Sequence, residues 1–364
     1  MHAVYLSLGN ITKCERKKTS NRAWILLAEL PSNEFKTKFN TTKRKAKKLW
    51  GLLKCQRFHK CMKQVLGPLC TFQPSDNASL MPAIDAKGYL CHCFPTLMAW
   101  IADMEEQWDI LGLAKYSCPK CHATFHELDD AHVCSAQSGD QIVATLRCIW
   151  WDYPDADSLQ FMRKAKKKGL SGVEELCWEG LAVDMCHAIC VDLLHTYHKM
   201  FGDHIMLWIT CTIGEEHLND RFSAQPHCVG ARNFPAGISH LLQLSGKEYR
   251  AIEQSIMPVI AGHANASPCV LKSVCGLLDF IFKALFPVHS DRTISHMLWD
   301  LEVFRVNWVV FIANGSRGSP HMKIPKLRYL PHTKSNIDWE WRIIFRLRES
   351  PCHSLQTCVQ GNKS

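Results

Sequence analysis

Asp192 and His195 place a carboxylate and an imidazole three residues apart, a spacing at which side chains on a helix meet. Residues 185–191 are short and mostly apolar, which predicts a buried strand, and the apolar positions from Leu193 to Trp208 recur every three or four residues, which predicts a helix. Strand ends in α/β sheets usually expose polar chemistry, so the pair is a candidate catalytic site. The alternative is that Asp192 only caps the helix.

Cys118 and Cys121 form a C-x-x-C pair, with Pro-Lys between them as in a tight knuckle. Two cysteines at this spacing can fill two corners of a tetrahedral zinc site. A reduced structural pair is the alternative, and a redox role is disfavoured because no βαβ pattern surrounds the motif. Further ligands are available nearby or could fold back from an earlier segment: His122, His126, His132, Cys134, Cys91 and Cys93.

Positive charge is concentrated at the start of the chain. The net charge is +9, but the first 70 residues alone contain 16 Lys and Arg against three acids, and no acid occurs between Phe35 and Ser75. Such a patch attracts phosphates, which predicts nucleic-acid contact. A solvated helix face and a nuclear import signal remain alternatives. The predicted DNA-binding residues are Lys43, Arg44, Lys45, Lys47 and Lys48.

Composition narrows the class of protein. The 364 residues are 47 % hydrophobic and 21 % charged, which is typical of a globular chain of one large domain or two to three ordinary ones. We find no signal peptide and no apolar run long enough for a membrane span, so we expect a soluble intracellular protein with its 19 cysteines reduced. No Walker loop, GxGxxG, nucleophile elbow or HExxH is present, and no nucleotide cofactor is expected.

The order of the elements follows from hydrophobic periodicity. VYLSLGNI and RAWILLAELP predict a β-hairpin, and residues 42–69 predict a helix that ends at Gly67-Pro68. A short strand and a helix begun near Pro95 follow. The stretch RCIWWDYPDADS is expected to be a loop leading to a basic helix, FMRKAKKKG. Later helices are predicted over 246–257, 267–286 and 292–312.

These motifs together resemble the Plavaka family of fungal DNA transposons, relatives of the CACTA group of cut-and-paste transposases. The resemblance covers roughly residues 3–332 and rests most on LSLGNI, on the Asp-Met-Glu-Glu-Gln block at 103–107, and on Asp192-x-x-His195. It is supported by the segments FHKCMKQVLGPL, GISHLLQLSGKE and IPKLRYLPH.

The resemblance implies an α/β fold: a partial RNase H-like core with a small zinc-knuckle element and a large helical insertion. It also implies a site of three acids that holds two Mg²⁺ ions, with Asp192 as the second acid and His195 orienting it or a phosphate. Cys118 and Cys121 would belong to a zinc-bound element. The corresponding segments are 1–70 and 161–212 for the core, 71–160 for the Cys/His-rich part, 213–330 for the insertion and 331–364 for a divergent tail.

The chain departs from the family pattern at the other two acids. The first catalytic Asp should precede VYLSLGNI, and the third acid should follow IPKLRYLPH, where Glu349 has the right offset but the wrong surroundings. We therefore expect a transposase-derived protein, truncated at both ends and catalytically incomplete for Mg-dependent cleavage and strand transfer. The alternative is a non-catalytic zinc-containing DNA-binding or interaction protein. The expected partner is DNA, with self-association left open, and the expected compartment is the nucleus.

Overall fold

The structure is a computed structural model. It describes residues 2–9, 11–31, 42–72, 81–85, 87–93, 95–123, 127, 134–241, 244–317, 324–334 and 337. These residues fall into two compact units, and the boundary after Cys190 lies inside the predicted segment 161–212. The first unit contains the residues before 124 and 134–190, and the second contains 191–337. No described helix has both the length and the apolar character needed to cross a membrane.

The first unit begins with a β-hairpin, as the alternating apolar pattern predicts. Strands β1 (His2–Leu6) and β2 (Ile25–Leu30) pair antiparallel, with a bulge between Val4 and Tyr5. The connection contains a short helix, α1 (Lys13–Arg16), and a 3₁₀ turn, Thr19–Asn21. The predicted hairpin is therefore confirmed.

Helix α2 (Lys43–Thr71) follows, close to the predicted bounds. Its buried residues are spaced three or four apart and form one face: Leu52, Cys55, His59, Met62 and Leu66. The helix runs past Gly67 and through Pro68, so the predicted end was too early. A proline near the end of a helix removes only one hydrogen bond, which the last turn tolerates.

A second antiparallel hairpin is formed by β3 (Met81–Ile84) and β4 (Leu90–Cys93). Helix α3 (Met104–Leu111) then begins at Asp103, whose carboxylate accepts a hydrogen bond from the Glu106 amide at 2.9 Å. The helix predicted to begin near Pro95 therefore begins later, at a residue able to cap it.

The stretch RCIWWD, expected to be a loop, lies in a helix. Helix α4 (Gly139–Asp152) is capped by Ser138 and buries Ile142, Leu146 and Ile149 along one face. The prediction was wrong because aromatic and acidic residues dominate the end of the helix. They conceal the apolar stripe, which begins near the start of the helix. The basic helix predicted next is confirmed as α5 (Ser158–Lys167).

The buried strand predicted over 185–191 is not present. Met185–Ala188 form a helical turn, α6, capped by the Asp184 carboxylate. Only Ile189 makes an isolated parallel bridge, to Trp100. The segment is buried as predicted, but a short apolar run does not distinguish a strand from a buried helical turn.

The second unit is helical. Residues 193–213 form one helix that contains two π-helical turns, Leu194–His198 and Phe201–Ile205, and ends as α7 (Met206–Ile213). The other helices are α8 (Glu215–Ser223), α9 (Gly246–Ile260), α10 (Pro268–Ala284), α11 (Asp291–Asn307) and α12 (Val310–Ala313), followed by the 3₁₀ turns Pro325–Arg328 and Leu330–His332. The predicted helices are confirmed, except that the last one is divided after Asn307.

The core of the second unit is built around the pair α10 and α11. A Cβ atom on Gly276 would lie 2.8 Å from the Asp300 carbonyl oxygen and 3.0 Å from the Phe304 amide nitrogen. Only glycine allows the two backbones to come this close. Phe280, Met297 and Phe304 are fully buried around this contact.

The fold is thus mixed α/β and mostly helical. Its described strands form two separate two-stranded sheets. They do not show the larger sheet of an RNase H-like core, and that part of the expectation stays a prediction.

Candidate functional site

Asp192 and His195 are in direct contact at the start of the 193–213 helix. Oδ1 of Asp192 accepts hydrogen bonds from the amides of Leu194 at 3.0 Å and His195 at 3.1 Å. Oδ2 lies 2.5 Å from Nδ1 of the His195 ring. The Asp192 side chain is 9 % exposed and that of His195 is 36 % exposed. Asp192 therefore caps the helix and also holds the imidazole, and its catalytic role stays a prediction.

This arrangement fixes what the pair can do chemically. Because the carboxylate accepts the Nδ1 proton, Nε2 is the acceptor of the neutral ring. The partly exposed imidazole is thus suited to taking a proton or, when protonated, to contacting a phosphate. Among the described residues, no group of three metal-ligating side chains contains Asp192. Glu349 lies outside the described residues.

A second carboxylate–imidazole pair joins the 193–213 helix to α9 and was not predicted. Nδ1 of His198 lies 2.9 and 2.8 Å from the two carboxylate oxygens of Glu253 on α9. Both side chains are almost completely buried, and burial raises the pKa of Glu253 while His198 opposes the rise. The signal in the sequence was faint: Glu253 sits next to the apolar positions Ile252 and Ile256, where an acid is unusual. His198 lies in a π-helical turn, a feature often found at functional sites.

Gln107 positions the segment that leads to Asp192. Its side-chain amide donates to the carbonyl oxygens of Ala102 at 2.9 Å and Cys190 at 2.7 Å. The Asp-Met-Glu-Glu-Gln block, noted first as a motif, therefore has two structural functions. Asp103 caps α3, and Gln107 holds the backbone two residues before Asp192.

Cys118 and Cys121 form a buried pair of thiols in the first unit. Their sulfur atoms lie within 4.8 Å of one another, and both residues are at most 1 % exposed. The Lys120 amide lies 3.5 Å from the Cys118 sulfur and donates to it. Burial raises the pKa of the Cys118 thiol well above its usual value. A buried neutral thiol is a weak nucleophile, whereas a bound cation would favour the thiolate.

The turn between the two cysteines is held by backbone pairing. The His122 amide donates to the Ser135 carbonyl oxygen at 3.0 Å, and the Gln137 amide donates to that of Lys120 at 3.0 Å. Lys120 is half-buried, and the desolvation of its ammonium lowers its pKa to about 8. The ammonium donates to the Ile189 carbonyl oxygen at 2.6 Å. The turn is therefore rigid and tied to the 187–189 segment.

The other predicted zinc ligands are not brought to the two thiols in the part of the chain that is described. His122 faces Gln141, with Nε2 2.9 Å from the amide oxygen. Cys91, Cys93 and Cys134 are half-buried and form no ligand group with the pair. His126 and His132 lie outside the described residues. The residues present fit two corners of a zinc site.

Helix α2 presents the basic run to solvent. Lys43, Arg44, Lys45, Lys47 and Lys48 are all exposed, and Thr42 caps the helix start. Within the described residues, none of the five lies within 4.0 Å of a carboxylate. The first two turns thus offer positive charge without internal neutralisation.

Further along α2, His59 anchors the helix in the first unit. Its Nδ1 accepts from the Cys177 amide at 3.1 Å, so Nε2 carries the proton and donates to the Asp109 carbonyl oxygen at 2.8 Å. Burial lowers the pKa of His59 to about 4. His59 had no predicted role, because an isolated histidine on an apolar helix face belongs to no recognisable sequence motif.

Comparison with known proteins gives one match. The family model described as Plavaka transposase matches residues 1–209, more than half of the chain. The matched range contains Asp192, His195, both cysteines and the basic run. No curated protein and no solved structure matches the chain.

Proposed function

Because this chain belongs to the Plavaka transposase family, we propose that it is a transposase-derived DNA-binding protein whose α2 cations contact the phosphate backbone. The observation that carries the proposal is the exposed run from Lys43 to Lys48, whose cations have no carboxylate within 4.0 Å among the described residues. Cations left unpaired on a surface attract phosphates strongly. Because the proposed partner is DNA, we propose the nucleus as the compartment of the protein.

The expected mode of binding follows from the residue types. Lysine is a flexible point charge, and four lysines with one arginine on two helical turns match a row of phosphates better than the edges of particular bases. Binding should therefore be independent of sequence and strongly dependent on salt. Contacts to about four phosphates predict a log–log salt slope near −3.6 on duplex DNA.

The test is a salt titration of duplex binding by fluorescence anisotropy. Replacing Lys43, Arg44, Lys45 and Lys47 together with Gln should flatten the slope by about three units and weaken every duplex alike. A matched control replaces with Gln three lysines and one arginine that are exposed elsewhere on the protein: Lys87, Lys247, Lys272 and Arg292. It should change the slope by less than about one unit.

Two outcomes would contradict the proposal. One is an unchanged salt slope in the α2 variant. The other is a variant that binds DNA as before but no longer enters nuclei, which would identify the run as an import signal.

We also infer that Cys118 and Cys121 bind one structural zinc ion, which their burial, their spacing and the Lys120 amide support. Zinc would fix the turn and keep both sulfurs as thiolates. This would make the 71–160 segment a zinc-stabilised element, as the resemblance implies.

For catalysis, the family implies Mg²⁺ held by several acids. The described residues do not fit such a site, because Asp192 is a single carboxylate whose oxygens are already hydrogen-bonded within its own helix turn. We therefore propose that Asp192 is a remnant of an RNase H-like site. His195 would orient the Asp192 carboxylate. We expect the chain to be catalytically incomplete.

A further inference from the structure

The C-terminal end of α4 carries a cleft that neither the basic run nor the Asp192 pair uses. It has a volume of about 550 Å³ and is lined by Arg147, Trp150, Trp151 and Pro154. Trp151 is 87 % exposed, the largest exposed fraction among the aromatic side chains described. An indole offers on the order of 200 Å² of flat apolar surface, and leaving it in water is unfavourable.

The cleft is rigid on one side. The Trp150 ring packs on the buried Phe161 ring of α5, with centroids 5.0 Å apart and planes inclined by 37°. Trp151 follows directly on the same helix end, so its backbone is fixed by this contact. A preformed aromatic surface of this kind requires little ordering when a ligand binds.

The chain on either side of the cleft carries more basic than acidic residues. Residues 139–168 contain six Lys and Arg against four acids. Arg147 lies one helical turn before Trp151 and pairs with Glu179. Asp157, one of the four acids, is already engaged in capping α5. The exposed cations lie mainly on α5 and just after it: Arg163, Lys166, Lys167 and Lys168.

Lys164 adds a positive charge beside this part of α4. Its ammonium lies 3.7 Å from the centre of the ring of Tyr153, which follows Trp151 by two residues in the sequence. That charge would repel a second cation. A ligand with a flat aromatic face and negative charge uses both the exposed indole and the basic surroundings.

We propose that the Trp151 cleft binds unpaired nucleotides of single-stranded DNA, with one base stacked on the indole and neighbouring phosphates on the α5 lysines. This inference rests on the proposed DNA binding and names a second, distinct class of substrate for it. Bases in a duplex are stacked on each other, whereas an unpaired base presents a free face that aromatic side chains bind.

The test compares binding of a labelled oligo-dT strand and a duplex of the same length. Trp151→Ala should weaken single-strand binding at least about fivefold and duplex binding less than about twofold, since stacking contributes only to the former. Trp151→Phe should stay within about threefold of the unchanged protein, because a ring remains. Replacing Lys166, Lys167 and Lys168 with Gln should flatten the single-strand salt slope by about two units.

The matched control is Trp299→Ala on α11, since Trp299 is also exposed, at 69 %. It should leave both affinities unchanged. Because Trp151 is so exposed, its replacement should not shift the melting temperature, which circular dichroism would check.

The outcomes separate this inference from the proposed function. If the chain binds duplex DNA but Trp151→Ala binds oligo-dT as before, or weakens both ligands equally, the cleft is not a base-stacking site and the proposed function stands. If the unchanged protein binds neither DNA, both are overturned.

Discussion

At the scale of single residues, the buried histidines His59 and His198 show that the state of a side chain can depend on partners far along the chain. His59 is neutral because a backbone amide donates to its Nδ1, and His198 faces a buried carboxylate 55 positions later in the sequence. Spacing predicted the contact of Asp192 with His195, which are three residues apart. It could not predict the other two, since only the fold brings those partners together.

The first prediction at this scale concerns pH. Burial lowers the pKa of His59 from 6.5 to about 4, so the unfolded chain binds the proton more readily than the folded chain. The stability that neutral His59 contributes is complete above pH 6.5 and is lost as the pH falls towards 4. The loss should be on the order of 3 kcal/mol.

Urea unfolding of the His59→Gln variant between pH 7.5 and 4.5 would test this. Gln cannot titrate, so the variant should lose less stability over this range than the unchanged protein does. His92→Gln, at an exposed position, is the control and should keep the original pH dependence. An identical pH dependence in all three proteins would contradict the role of His59.

At the scale of elements, long periodic segments were predictable and short ones were not. Helix α2 and the β1–β2 hairpin followed from their apolar patterns, because one face of each repeats over many residues. The α6 turn was predicted to be a strand, since its three buried residues fit either geometry and capping by Asp184 decides the outcome. Helix α4 was missed because its apolar stripe ends before the aromatic residues that dominate the segment.

The prediction at this scale concerns the C-x-x-C turn. Cys118→Ser should remove zinc from the purified protein and lower its melting temperature, because a structural metal site contributes directly to folding. Elemental analysis and thermal unfolding measure the two effects. Cys148→Ser, which changes an exposed cysteine of α4, should alter neither. A chain purified without zinc, or a Cys118→Ser variant indistinguishable from the original, would remove the basis for the assignment.

At the scale of the whole molecule, membership of the family does not by itself supply the residues that catalysis requires. The chain belongs to a transposase family, but among its described residues no group of three metal-ligating side chains contains Asp192. Composition and motifs predicted the family and the mixed α/β class. They could not predict the arrangement of sheets, because the pairing of strands depends on contacts between distant segments.

We predict that the purified chain with Mg²⁺ or Mn²⁺ neither nicks nor joins DNA that carries the ends of the element. Two-metal phosphoryl transfer needs several carboxylates to hold the ions, and Asp192 alone cannot do so. Product formation should equal that of Asp192→Ala in a gel assay. Metal-dependent products that disappear in Asp192→Ala would show that the chain is an active nuclease or transposase.

The location of the five cations at the very beginning of α2 has a consequence for the order of the helix itself. The amino-terminal end of a helix carries partial positive charge, so cations there repel it, and no acid lies in the first turn to compensate. Without DNA these two turns should fray most at low ionic strength. Salt would then act in opposite directions, restoring the helix start while weakening its hold on phosphate, and amide hydrogen exchange at 43–48 would report the difference.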